Sequence, residues 1–131
     1  MRHIFVAALA ALALLVASCA PVTTVQPQEY TTRLNFEQAY AETINVISTQ
    51  PYPSDSSGWV ITQSDQVGGF ISAELRHGVP SGLFGLRLTQ ETAVVSVTLV
   101  RRGTDVSVSV GRTRHEEARS LAARISERLG L

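Results

Sequence analysis

Apolar and polar side chains alternate through residues 95–99 and again through 106–110, and this two-residue period is the strongest constraint on the fold. Ala93, Val95, Val97 and Leu99 fall to one side, with Val94, Ser96, Thr98 and Val100 on the other. Val106, Val108 and Val110 then repeat the apolar set against Ser107 and Ser109, after a turn at Arg102, Gly103 and Thr104. Neighbouring side chains of a strand point to opposite faces, so such segments build a sheet with one face in a core and one in water. The first of these strands is expected to start in earnest near Thr92. An earlier hairpin has the same grammar. Trp59 and Ile61 oppose Val60 and Thr62. The segment from Asp65 to Gly69 turns. Ile71, Ala73 and Leu75 then oppose Ser72 and Glu74.

Helical patterns flank the two hairpins. Asn35 followed by Gln38 predicts a capping box, and Phe36, Ala39, Tyr40, Thr43, Ile44 and Ile47 share one stripe until Pro51 and Pro53 stop the helix near Thr49. Thr113 and Glu116 predict a second capping box. Ala118, Leu121, Ala122, Ile125 and Leu129 form its stripe, and Gly130 stands where a helix ends. Short links imply a meander. The expectation is an α+β two-layer sandwich of order α-β-β-β-β-α, a four-stranded antiparallel meander with two helices on one face, spanning residues 34–131.

The N-terminus has a different character. Met1, Arg2 and His3 precede an unbroken apolar run over residues 4–17. As a helix that run spans about 21 Å, short of a bilayer core of roughly 30 Å, and suits a signal peptide better than a membrane span. It ends in Val16, Ala17, Ser18 and Cys19, which resembles the lipobox of bacterial lipoproteins. The resemblance covers residues 1–19. It implies removal of residues 1–18, a diacylglyceryl group on the Cys19 thiol and acylation of the new amine. Membrane partnership then comes through the lipid on Cys19, without a spanning segment. Ala20, where an Asp would imply retention at the inner membrane, implies the periplasmic face of the outer membrane in a bacterium with two membranes. The competing reading is an ordinary secretory leader with Cys19 as a bystander. A lone leftover thiol is a poor choice in an oxidising compartment. Residues 19–33, with Pro21 and Pro27 and much Thr and Gln, read as an extended tether.

The rest of the composition narrows the chemistry. All the basic residues are Arg, net charge is zero and Cys19 is the single cysteine. The C-terminal half is mildly basic, but no aromatic-basic motif supports nucleic-acid binding. His77 and His115 stand far apart in sequence, without a nucleophile elbow or a metal-ligand spacing. No metal, cofactor or catalytic residue is expected.

Six residues are candidates for contact with a partner or ligand. Trp59 is either a core anchor or a stacking platform. Val79, Leu83 and Phe84 stand in a Gly- and Pro-rich stretch, residues 77–85, read as a loop. That loop either folds back over the sheet or offers an apolar contact surface. Arg101 and Arg102, with Arg76 and Arg87, either form a basic rim or are solvated strand ends. The expected function is a non-enzymatic envelope adaptor or assembly subunit that binds another envelope protein through the open sheet face or the 77–85 loop. The alternative is a small-ligand module for a lipid, glycan or peptidoglycan fragment. A hydrolase is a remote third reading.

Overall fold

The computed structural model describes residues 24–85 and 87–131. The leader at 1–18, the lipobox with Cys19, Ala20 and residue Leu86 lie outside the described residues. The described chain runs β1 (Thr24–Thr32), α1 (Phe36–Thr49), β2 (Ser56–Asp65), β3 (Phe70–Ser81), a single 3-10 turn (Leu83–Gly85), β4 (Arg87–Arg102), β5 (Asp105–Thr113) and α2 (Glu116–Leu129). The strands form one antiparallel sheet in the order β1-β5-β4-β3-β2.

The sheet has five strands, not four. The segment expected to be tether contributes β1, which pairs with β5 from Thr24 opposite Thr113 to Thr32 opposite Val106. β1 lies at an edge and buries little beyond Thr32, so it has no need of the apolar alternation that marks the others. Its register shifts between Val25 and Gln28, around Pro27. Proline is tolerated there because an edge strand can spare an N–H.

The core is the layer between sheet and helices. Ile71, Ala73, Leu75, Ala93, Val95, Val97, Leu99, Val106 and Val108 meet Phe36, Ala39, Tyr40 and Ile47 of α1 and Leu121, Ile125 and Leu129 of α2. Every residue expected on the α2 stripe is buried; on α1, Val46 is buried and Ile44 half-buried. The α1 cap is the expected box: the Asn35 side chain accepts from the Gln38 N–H at 2.9 Å, and the Gln38 side chain accepts from the Asn35 N–H at 3.4 Å. Gly130 ends α2 in the left-handed region with φ 67°.

Two local expectations give way. α2 starts after His115, not Thr113, and the His115 side chain does not cap it. β5 runs on to Thr113, whose hydroxyl accepts the Val94 N–H at 3.1 Å and so holds two strands together. The 77–85 stretch is a loop only in its second half. β3 and β4 stay paired through Ser81, with His77 opposite Glu91, Val79 opposite Thr89 and Ser81 opposite Arg87, and residues 82–85 turn the chain.

Candidate functional site

The prolonged β3–β4 pair forms an arm that β2 accompanies as far as Ser56, opposite His77, and that then projects past the rest of the sheet. β5 and β1 stop at Thr113 and Thr24, level with Val94, while β4 starts seven residues earlier, at Arg87. At about 3.3 Å per residue the arm reaches roughly 20 Å beyond that level. The Ser81 and Thr89 hydroxyls share a hydrogen bond at 2.6 Å across it. Gly82, Phe84 and Gly85 take left-handed φ of 79°, 60° and 68°, and the Gly85 N–H donates to the Gly82 carbonyl at 3.3 Å. The left-handed region costs a side chain about 1 kcal/mol, so Phe84 is held there by its glycine neighbours and the turn they close.

The arm carries apolar side chains in water. Leu83, Phe84 and Leu88 are 79%, 89% and 78% exposed, and Val79 is half-buried. Three large apolar groups on one projecting element are what a contact surface requires and what a monomer in water avoids. No Asp or Glu lies between residues 78 and 90, and Arg87 is the charge of that stretch.

At the base of the arm, His77 and His115 come together, their rings at right angles with centroids 6.4 Å apart. Their separation in the chain held no hint of this. Thr113 Oγ1 lies 3.0 Å from His115 Nδ1, and Glu91 Oε2 lies 3.3 Å from His115 Nε2. The Thr-His-Glu order imitates a hydrolase triad, but its hydroxyl cannot serve as nucleophile. Thr113 is 3% exposed, and its oxygen already accepts the Val94 N–H. The set is a brace that joins β4, β5 and the start of α2 where the arm departs. His77 Nδ1 is buried there without a hydrogen-bond partner among the described residues.

The arginines divide between two ends. Arg76 and Arg87 belong to the arm end, whereas Arg101 and Arg102 flank the β4–β5 turn at the opposite end of β4. They do not form one rim. Arg101 lies 3.9 Å from the Phe36 ring centroid and pairs with Glu37 at 2.5 Å. Arg102 pairs with Glu29 at 2.8 Å. The Ser107 hydroxyl and Arg102 hold the Glu29 carboxyl below its ordinary range. The backbone N–H of Glu37 and then Arg101 do the same for Glu37. A carboxyl with a lowered folded pKa contributes stability above its unfolded value, near 4.5, and loses it as pH falls through the folded value. Both pairs are exposed, so the effect is small and weakened by salt. Melting temperature should drop on acidification below about pH 4.5, and the drop should shrink in Glu29→Gln. Equal acid sensitivity in the variant would remove Glu29 from the account.

Two other surfaces matter. The sheet face away from the helices is uncovered. Ser72, Ser96, Thr98 and Ser109 line it at partial exposure, and Val60 and Val100 are 51% and 44% exposed. Ser57, Val60, Thr62, Glu74 and Arg76 surround a hollow of about 220 Å³ on this face. Trp59 points the other way, half-buried against the core, which is the anchor role. A second groove, about 410 Å³, runs between β1 and α2 past Tyr30, Arg112 and Arg119. Both guanidinium groups are already engaged, Arg112 with the Thr113 carbonyl at 3.3 Å and Arg119 with Glu116 at 2.8 Å.

The sequence matches no family model and no curated relative. Among solved structures it is similar in shape to Ara h 8.0201, at 11% identity and a TM-score of 0.46, covering 83% of this chain and 98% of that one. A Chromobacterium violaceum protein solved by a structural genomics consortium gives 14% identity and a TM-score of 0.38, with 82% and 94% covered. A Thermus thermophilus protein gives 11% and 0.38, with 82% and 97% covered. At these identities and scores the likeness carries nothing about what this chain binds.

Proposed function

We propose that this chain is a lipid-anchored envelope protein, non-enzymatic, that serves as an adaptor or assembly subunit by presenting its open sheet face to another envelope protein. The observation that carries the reading is that uncovered face. A two-layer body leaves one side of its sheet to water. Here that side is lined by short hydroxyls, with Val60 and Val100 exposed among them and a hollow beside Val60. Short side chains let a partner approach closely and cost little entropy when they are ordered. The anchor rests on the apolar run and lipobox at residues 4–19, and Ala20 favours the periplasmic face of the outer membrane where two membranes exist. Two acyl chains hold a water-soluble body stably against a bilayer, whereas one does so only marginally.

The test has two parts. Cys19→Ser should move the protein from the membrane to the soluble fraction, and intact mass should show loss of the lipid. A wild-type protein recovered without detergent, its thiol free, overturns the anchor. A photo-crosslinking side chain at Val60 should capture one envelope protein in stoichiometric yield, with little capture from exposed Gln38 on α1. Equal capture from both positions, or none from Val60, overturns the adaptor reading.

A further inference from the structure

The chain enters the described domain at Thr24, and Thr24 pairs with Thr113 at the end of the sheet from which the arm projects. Thr24 follows Cys19 by five positions, a contour of roughly 17 Å at full extension. The arm extends about 20 Å past the same level. A lipid on Cys19 therefore draws the arm end of the sheet toward the bilayer. Its link to the body is no longer than the arm itself, so a body standing on its strand axes meets the membrane with the turn at residues 82–85. The side chains there are the ones an interface accepts. Leu83, Phe84 and Leu88 are exposed, Arg87 is at hand for lipid phosphate, and no carboxylate lies between residues 78 and 90.

From this juxtaposition we infer that the tip of the β3–β4 arm is a second membrane contact: Leu83, Phe84 and Leu88 seat in the headgroup and upper acyl region of the bilayer that holds Cys19. The inference rests on the anchor in the proposed function. Lipid and tip are two attachments at one end of the body, and together they fix its orientation where a lipid alone would leave it to swivel. Burial of three large apolar side chains adds to the acyl chains, and Arg87 beside them favours an anionic surface. Strand pairing runs up to Ser81 and Arg87, and the Gly85 N–H bonds the Gly82 carbonyl, so the arm below the turn brings little unsatisfied amide to the interface.

The experiment uses the membrane-extracted full protein, with Phe84→Trp placed in a Trp59→Phe background so that one indole reports from the tip. It is reconstituted in phosphatidylethanolamine–phosphatidylglycerol vesicles with brominated acyl chains. Tip emission should shift to the blue and lose about half its intensity. Leu83→Ser with Leu88→Ser should abolish most of that change while circular dichroism stays native, since both side chains lie outside the core. A protein that sediments with the vesicles while its indole stays unquenched overturns the tip contact and leaves the anchor standing. An unquenched indole together with a crosslink from residue 84 to a protein assigns the tip to a protein partner and also overturns it. A protein with a free Cys19 thiol that does not sediment overturns the anchor instead. Added vesicles then decide the tip separately: quenching keeps it, and no quenching removes it.

Discussion

Replacing Gly69 with alanine is expected to cost the domain about 3 kcal/mol or more, the largest loss of any single methyl addition in its turns. Gly69 holds φ at +71°, a region that charges an L side chain roughly 1–2 kcal/mol. A Cβ there would also stand 2.2 Å from the Leu99 carbonyl oxygen and 3.0 Å from the Phe36 ring. The ring can turn aside. The carbonyl belongs to the central strand β4 and cannot. The β2–β3 turn must therefore lift, and that breaks the 2.7 Å hydrogen bond from the Leu99 N–H to the Gly69 carbonyl. Gly103→Ala is the matched comparison, because its φ is +65° and nothing lies within 4 Å of the added carbon. It should lose only the conformational part, about 1 kcal/mol. Urea unfolding followed by Trp59 fluorescence measures both. Two variants that fall within about 0.5 kcal/mol of each other would show that the Leu99 carbonyl is no obstacle at this turn.

Ile125→Ala should cost between about 2 and 5 kcal/mol. Ile125 is fully buried on α2. It faces the sheet from the helix that also packs against α1, so the space it leaves is walled by strands that cannot collapse inward. Val67→Ala is the reference. Val67 is an equally apolar side chain, but it is 91% exposed in the β2–β3 turn, and its truncation should stay within about 0.5 kcal/mol. An unchanged denaturant slope in both variants would show that stability, not the extent of unfolding, has moved. A loss under about 1 kcal/mol at Ile125 would mean that the α2–sheet layer repacks freely, contrary to a close-packed core.

The sequence disclosed whatever was local. Asn35 and Gln38 sit three residues apart and form their cap without help, and the stripe from Ala118 to Leu129 buries as a unit because helical period alone sets it. The two hairpins were legible for the same reason. β1 was not, since its partner lies about eighty positions away and an edge strand needs neither alternation nor apolar content. Thr113 shows the limit of a motif. Thr-x-x-Glu was present, but the hydroxyl was claimed by the Val94 N–H, a contact invisible in sequence. The arm was half legible. Its Gly and Pro content read as a break in structure, although two strands that pack on no core need little more than backbone pairing. Leu83 and Phe84 stood out as apolar groups among breakers. Leu88 did not, because it stands in the run-up to the strand expected from Thr92. Arg101 and Arg102 could not be separated from Arg76 and Arg87 without the register that places them at opposite ends.

The ladder between the first strand and β5 has a consequence for how the molecule is made. Glu29 meets Ser109, so the first strand to leave a ribosome has no partner until almost everything else has followed. Loop closure over that span is slow compared with hairpin formation, and the final zipping therefore waits on the tail. During that interval residues 24–32 remain unpaired, and the edge of β5 that they will cover stays open.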